Sequence, residues 1–401
     1  MHNRPQSVED FRRVAQRRLP RAIFDYVDGG AEDESTIAGN RTAFQRIALV
    51  PRVHEDARPL DLGVTLCGRP LSMPLLLAPT GNSGLVHPDG DLAAVHGAAG
   101  AGIAAIVSGV ASYSIEELGA AAPAGAPPWY QLYCYGDREF YGHIIDRAAA
   151  AGFEGLVVTV DVPRPGRRER DIANGFTVPP RLTARNAHDL LRHPSWTLGV
   201  VRHRRVTIRL FSEERPPLRA LVRSASSSAR AFTATLGRTS WDDVGWIRDR
   251  WKGPLAVKGI LAGEDARRAA ECGADAIVVS NHGGRQLDGA IASLDALPDI
   301  ATAVGGAAQV VLDGGIRRGT DIAKALCLGA DAVAIGRPWL YGLAAGGTRG
   351  VAAVLDRLRT ELATTLELLG EPCARHLDSS FVRRLPYAAS QPIPTERGRN
   401  R

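Results

Sequence analysis

Apolar runs recur along the chain at residues 74–80 (PLLLAPT), 103–108 (IAAIVS), 129–133 (WYQLY), 156–161 (LVVTVD), 255–259 (LAVKG), 276–280 (AIVVS), 309–314 (QVVLDG) and 332–336 (AVAIG). Most end in a polar residue or a glycine. Their near-continuous apolar character is that of parallel strands in a sheet covered on its outer face. Amphipathic segments such as DREFYGHIIDRAAAAG from Asp137, WDDVGWIRDRW from Trp241 and EDARRAAECG from Glu264 fill the intervals, which makes a repeated strand–helix unit. Eight such units predict an α/β fold of the (β/α)8 TIM barrel type over a doubly wound sheet, which more often has about five to seven strands.

Two segments fall outside the repeat. Residues 1–70 form an N-terminal cap, with a helix over 7–18 and the turn-rich DGGAEDES, expected to pack beside the barrel. Residues 179–240, between the fourth and fifth strands, far exceed the roughly two to six residues usual for such a connection. They would emerge at the C-terminal rim, where barrels carry active sites. One unit over 1–401 is therefore expected: cap 1–70, barrel 71–370 with the 179–240 insertion, and tail 371–401.

With 45% hydrophobic and 23% charged residues, the chain can bury a large core and is neither disordered nor fibrous. The net charge of +6 is unevenly spread. Residues 181–230 hold eleven arginines and no lysine against Asp189, Glu213 and Glu214, a net of +8 that leaves about −2 elsewhere. No nucleic-acid partner is expected, because no binding motif accompanies a charge confined to one insertion. Five scattered cysteines without a C-x-x-C pair support neither a disulfide framework nor a zinc site; no metal is expected, and a reducing compartment is. The N-terminus lacks an apolar stretch of signal-peptide length and no run of about 18 apolar residues occurs, so a cytoplasmic protein that does not span a membrane is expected.

The C-terminal strand ends of a barrel face its site. Here they carry Thr80 and Gly81, Ser108, Gln131 and Tyr133, Thr159 and Asp161, Lys258, Asn281 and His282, Asp313, and Gly336 with Arg337. LDGGIRRGTD (312–321) and AIGRP (334–338) put glycines before arginines at the seventh and eighth strand ends. Freed backbone N–H groups, a helix N-terminus and Arg317 or Arg337 suit a phosphate there; the alternative is glycines that only shape tight turns. In SNHGGRQLD (280–288), His282 and Arg285 directly follow a strand, which suits a base next to a carboxylate clamp more than a structural histidine. Lys258 is one of three lysines in a chain that otherwise uses arginine. Buried in an apolar strand it needs an anionic partner, either a functional one or a structural ion pair.

Over nearly its whole length the chain resembles the FMN-dependent 2-hydroxy acid oxidising enzymes, which include glycolate oxidase, flavocytochrome lactate dehydrogenase, bacterial L-lactate dehydrogenase and mandelate dehydrogenase. The motifs are FDYVDGGAEDE, WYQLY, TVDVPRPGRRERD, VKG, SNHGGRQLDG and LDGGIRRGTDIAKALCLGADAVAIGRP. The resemblance implies FMN, with its phosphate against Gly315, Arg317, Gly336 and Arg337 and its ribityl chain on Asp313. Ser108, Gln131 and Thr159 would hydrogen-bond the isoalloxazine, and the backbone of Pro79, Thr80 and Gly81 would pass its N5 edge. Lys258 would sit by N1 and O2, where a cation raises the flavin's electron affinity. The substrate carboxylate would be held by Arg168 and Arg285, with hydroxyl hydrogen bonds from Tyr26 and Tyr133. His282 would be the general base, with Asp161 orienting its imidazole and stabilising the protonated form. Proton loss from the hydroxyl with hydride transfer, and from the α-carbon through a carbanion, both stay open. All five substrate-side residues of an active member (Tyr26, Tyr133, Arg168, His282 and Arg285) are present.

Within the insertion, LLRHPSWTLGVVRHRRVTIRLF (190–211) interleaves arginines with apolar and aromatic residues, a pattern suited to an anionic membrane surface. HPSWTLGVVRH resembles the insertion of membrane-associated mandelate and L-lactate dehydrogenases, which pass electrons to a quinone. The alternative is an arginine-rich lid over the site. Gly81 leans towards a dehydrogenase. Val110 stands where glycolate oxidase carries a tryptophan and leaves room for a larger substrate, while Asn82 and Ser83 depart from the apolar residues expected there. The expected activity is oxidation of an (S)-2-hydroxy acid, mandelate-like or lactate, to the 2-oxo acid with a quinone-type acceptor. A homotetramer or larger homo-oligomer is expected, peripheral on the inner face of the cell membrane through 181–230. The competing expectations are an oxygen-dependent oxidase producing hydrogen peroxide and a phosphate-ligand-binding barrel without redox activity.

Overall fold

The computed structural model describes residues 5–53, 58–175, 184–211, 227, 229–234 and 236–386, with side chains from residue 188 onward in the helix Ala184–Arg192. Three short strands precede the barrel: β1 (Ile47–Leu49), β2 (Val64–Leu66) and β3 (Arg69–Leu71). The barrel strands are β4 (Leu75–Leu77), β5 (Ala104–Val107), β6 (Trp129–Leu132), β7 (Gly155–Thr159), β8 (Leu255–Ile260), β9 (Ala276–Val279), β10 (Gln309–Asp313) and β11 (Ala332–Ile335). They close in chain order, every neighbour parallel and β11 paired back to β4. Each overlaps one predicted apolar run, so the TIM barrel and the place of the insertion after its fourth strand are as expected.

Successive side chains of a strand point to opposite faces. Ile106, Trp129, Val157, Ala256, Val278 and Val311 therefore share the barrel interior, in a cluster separate from the outer layer against the helices. Two residues further along the same strands stand Ser108, Gln131, Thr159, Lys258, Ser280 and Asp313, all buried. The interior thus changes from apolar to polar at its C-terminal end. The β2–β3 hairpin plugs the other end with Leu66 and Leu71, each fully buried leucine contributing about 1.5–3 kcal/mol. Gln309 fastens the plug by accepting from the Cys67 N–H (2.6 Å) and donating to the Thr65 carbonyl (3.0 Å).

The cap lies across the C-terminal rim as well as beside the barrel. Helix Val8–Arg18 starts at Ser7, whose hydroxyl accepts the Asp10 N–H, and packs Val8, Phe11 and Ala15 towards the long helix Arg337–Leu369. Helix Arg21–Asp28 leads to the rim. There the Ala31 N–H donates to the Gly284 carbonyl (2.9 Å), and Asn40 and Asn281 exchange reciprocal amide hydrogen bonds (2.8 Å each). Asp28 receives Arg12 (2.6 and 2.8 Å) and the Tyr341 hydroxyl (2.7 Å). Burial raises its carboxyl, but Arg12 and Tyr341 outweigh that and hold it at about 2. Part of the expected tail is fixed too: β12 (Val382–Arg384) pairs antiparallel with β1.

The insertion forms helices Ala184–Arg192 and Pro194–His203 and then returns to the barrel. Trp196 Nε1 donates to the Leu85 carbonyl (2.7 Å), and Arg205, buried, forks onto Glu117 (2.9 and 3.1 Å) beneath the Tyr113 ring. Among the described residues, no helix is long and apolar enough to cross a membrane.

Candidate active site

A cavity of about 750 Å³ opens above the polar end of the barrel. Of the residues singled out from the sequence, Tyr26, Pro79, Thr80, Gly81, Tyr133, Arg168, Lys258, His282, Arg285, Asp313, Arg317, Gly336 and Arg337 line it. Ser108, Gln131 and Thr159 form a hydrogen-bonded chain below it, Ser108 Oγ to Gln131 Oε1 (3.0 Å) and Gln131 Nε2 to Thr159 Oγ1 (2.8 Å). Asp161 stands behind His282. Gly315 (φ 82°) packs against the cap, where a Cβ would meet Phe44 at 2.8 Å.

His282 sits on the turn after β9 with a left-handed backbone (φ 56°), a region that costs a non-glycine residue about 1–2 kcal/mol. Its N–H donates to Ser280 Oγ (3.1 Å), and Gly283 and Gly284 continue the left-handed turn. The ring is thereby turned so that Nδ1 meets both Asp161 oxygens, at 3.1 and 3.2 Å. Gly259 (φ 105°) makes this approach feasible, since a Cβ there would lie 2.6 Å from Asp161 Cβ. Burial raises the Asp161 carboxyl, while His282 and Lys258 pull it below its ordinary range, so it is an anion beside the imidazole.

Among the described residues Arg285 is held by carbonyls, donating to Tyr26 O (2.6 Å) and Gly29 O (3.0 Å), and its guanidinium lies 5.0 Å over the Tyr26 ring. Burial and the charge of Arg168 push it down to about 10. Arg168 is oriented by Asp171 (2.8 Å). Tyr133, buried against Tyr135 and Phe232, is raised well above its ordinary value by burial and by Asp161, so it is a neutral hydroxyl.

Lys258 Nζ contacts Asp313 Oδ2 (2.8 Å) and Ser280 Oγ (2.7 Å). Burial opposes its charge, but Asp313 and Asp161 more than offset that and raise it. Arg317 makes no ion pair among the described residues; its guanidinium donates to its neighbour's carbonyl, Ile316 O (2.8 Å), and is lowered by burial and by Arg337. Arg337 donates to the Asp28, Gly29 and Gly283 carbonyls (2.8–3.1 Å) at the start of helix Arg337–Leu369. Two cations that form no ion pair among the described residues, at a helix N-terminus behind Gly336, fit a phosphate dianion. The buried Thr80 Oγ1 has no hydrogen-bond partner among the described residues, a polar group that suits contact with a cofactor. The residues present therefore fit FMN.

Several contributors escape the sequence reading. Ser280 joins Lys258, Asp313 (2.9 Å) and the His282 N–H through one hydroxyl, and the inward alternation from Val278 is the signal that could have found it. Gln286 donates to the Asp161 carbonyl (3.1 Å). Asn82, already noted in the sequence as a polar departure, reaches the Tyr26 hydroxyl (3.1 Å), a contact the sequence did not show, and Trp196, Val200, Ile208 and Phe232 of the insertion wall the cavity.

The chain belongs to the family of FMN-dependent dehydrogenases, whose model matches residues 15–384. It is 42% identical to an L-lactate oxidase of Nostoc sp. over 94% of this chain and 98% of the relative. To a peroxisomal (S)-2-hydroxyacid oxidase of Arabidopsis thaliana it is 41% identical, over 94% of this chain and 96% of the relative. The solved structure of the monotopic membrane protein (S)-mandelate dehydrogenase superposes with a TM-score of 0.89 at 38% identity, covering 95% of this chain and all of that one. The protein is an FMN-dependent oxidoreductase acting on 2-hydroxy acids.

Proposed function

We propose that this enzyme oxidises an (S)-2-hydroxy acid with a bulky aromatic side chain, of mandelate type, and hands the electrons to a quinone-type acceptor. The observation that carries the reading is the His282–Asp161 pair facing the same cavity as Arg168 and Arg285. The two arginines hold the carboxylate, Tyr26 and Tyr133 add hydroxyl hydrogen bonds, and His282 takes a proton from the substrate while Asp161 stabilises the imidazolium. Bound FMN supplies the two-electron acceptor. Its phosphate is assigned to Arg317, Arg337 and Gly336 with Gly315 behind, its ribityl chain to Asp313, and its ring to Lys258, Thr80 and the Ser108–Gln131–Thr159 chain. Val110, Leu85, Trp196, Val200, Ile208 and Phe232 supply the apolar wall that supports a large side chain. A quinone acceptor and peripheral membrane contact are supported by the exposed Leu191 (80%) and Leu198 (67%) beside exposed Arg192 and Arg202, and by the likeness to a monotopic membrane protein.

Anaerobic mixing of the yellow protein with mandelate, 4-hydroxymandelate, phenyllactate, lactate and glycolate tests this. Mandelate is expected to bleach the flavin fastest, and fastest bleaching by glycolate would overturn the aromatic assignment. The likeness to L-lactate oxidase favours a second reading, an oxygen-using oxidase. Slow recovery in air that a quinone restores supports the first reading; rapid recovery with hydrogen peroxide supports the second.

A further inference from the structure

Asn82 lines the cavity next to Tyr26. Its backbone is left-handed (φ 57°, ψ 32°), which asparagine adopts more readily than most residues. That backbone is fixed by the Asn82 N–H donating to the Val110 carbonyl (3.1 Å) and by its own carbonyl accepting the Leu85 N–H (3.0 Å). From this held position Nδ2 donates to the Tyr26 hydroxyl oxygen at 3.1 Å. The hydroxyl in turn donates to the Gly81 carbonyl at 3.5 Å, the outer limit of a hydrogen bond.

We propose that Asn82 is a positioning residue for the substrate carboxylate, acting through Tyr26. A tyrosine hydroxyl has one proton and can accept as well as donate; it turns to suit its partners. With Asn82 donating to its oxygen, the hydroxyl keeps its proton for an acceptor, and a bound carboxylate, which offers acceptors only, is a stronger one than the Gly81 carbonyl at 3.5 Å. Arg285, stacked over the same tyrosine ring, places that carboxylate within reach of both groups. The amide therefore sets the direction of the Tyr26 hydroxyl, and the two arginines supply the charge. The inference rests on reading the site as one for 2-hydroxy acids.

The test is a double-mutant cycle on the FMN-loaded protein with Asn82→Gly, Asn82→Asp and Tyr26→Phe. Readouts are calorimetric binding of phenylacetate and propionate, which lack the 2-hydroxyl, and KM against kcat for the panel substrate that bleaches the flavin. Glycine keeps the left-handed backbone and deletes the amide; aspartate keeps the shape and replaces a donor by an acceptor. Asn82→Gly is expected to weaken carboxylate binding and raise KM about five- to tenfold, the worth of one hydrogen bond, with kcat within about twofold. Asn82→Asp should lose more, and Asn82→Gly should add nothing to Tyr26→Phe. An equal loss in the Tyr26→Phe background, or Asn82→Asp binding like wild type, overturns the proposal. Wild-type protein that binds neither carboxylate and is bleached by no panel substrate overturns the reading of the site instead, and the inference falls with it.

Discussion

Replacing Asp161 by asparagine preserves the volume behind His282 and removes the charge that faces the ring at 3.1 Å. Exchanging a hydrogen bond to a charged group for a neutral one costs about 1.5–3 kcal/mol. Two unit charges at this separation attract by about 5 kcal/mol at an effective dielectric of about 20. At about 1.4 kcal/mol per decade these figures bracket a loss of about 10- to 10⁴-fold in any step that makes an imidazolium. Lys258 narrows the range upwards: its charge now acts on Asp161, and without the carboxylate it acts on the imidazolium with less to offset it. A fall of about 10²- to 10⁴-fold in the rate of flavin bleaching is therefore expected, measured by anaerobic stopped flow at saturating substrate with flavin content unchanged. A loss smaller than about fivefold would refute the pairing as a source of rate. Stability supplies an independent check. Asp161 is depressed in the folded state, so its contribution is present above the ordinary carboxylate value near about 4 and is lost as pH falls through the depressed one. The difference in Tm between wild type and Asp161→Asn should shrink on acidification across that window.

Arg285→Lys removes a guanidinium that also anchors the cap carbonyls of Tyr26 and Gly29, so KM should rise about tenfold or more; an unchanged KM would remove Arg285 from the carboxylate clamp. In Gly81→Ala the new methyl enters the space of Val110 Cγ2, an overpacking worth about 1–3 kcal/mol, and Val110→Ala should restore most of it. A double variant no more stable by thermal melting than Gly81→Ala would contradict that geometry. Leu191→Asp with Leu198→Asp should abolish co-sedimentation with anionic vesicles and slow turnover with a long-chain quinone, while turnover with a soluble dye is kept. Persistent sedimentation would discard the membrane face.

The barrel is legible because its strands are continuous apolar runs whose inward alternation ends in a polar residue, so strand and rim appear in one pattern. Ser108, Gln131, Thr159, Lys258 and Asp313 follow from that pattern alone. The two sequence readings of Lys258, functional partner or structural ion pair, meet in one residue that lines the cavity and pairs with Asp313. What local pattern does not encode is the way the cap enters the site. Tyr26 arrives there because the carbonyls around DGG are taken by Arg285 and Arg337, residues more than 250 positions away to which the sequence reading gives only a carboxylate and a phosphate. Asn82 stands out in the sequence as a polar departure, but its contact does not, for a similar reason: its partner is the tip of a side chain on another element.

The insertion separates two uses of arginine that composition lumps together. Arg205 and Arg209 turn inward, the first forked onto Glu117 and stacked on Tyr113, the second 4.0 Å from Glu117, so part of the local excess fastens the insertion to the barrel. Arg192 and Arg202 stay exposed beside Leu191 and Leu198. On helix Pro194–His203, Trp196 and Val200, one turn apart, face the cavity, while Leu198 faces out. Lid and membrane patch are therefore not rival readings of this segment, since one helix can serve both through opposite faces. Whatever seats on the outer ridge lies about one helix diameter, ~10–12 Å, from the cavity. An acceptor dissolved in that surface would have a single layer of side chains to cross, which is why loss of the ridge should slow the quinone and spare the dye.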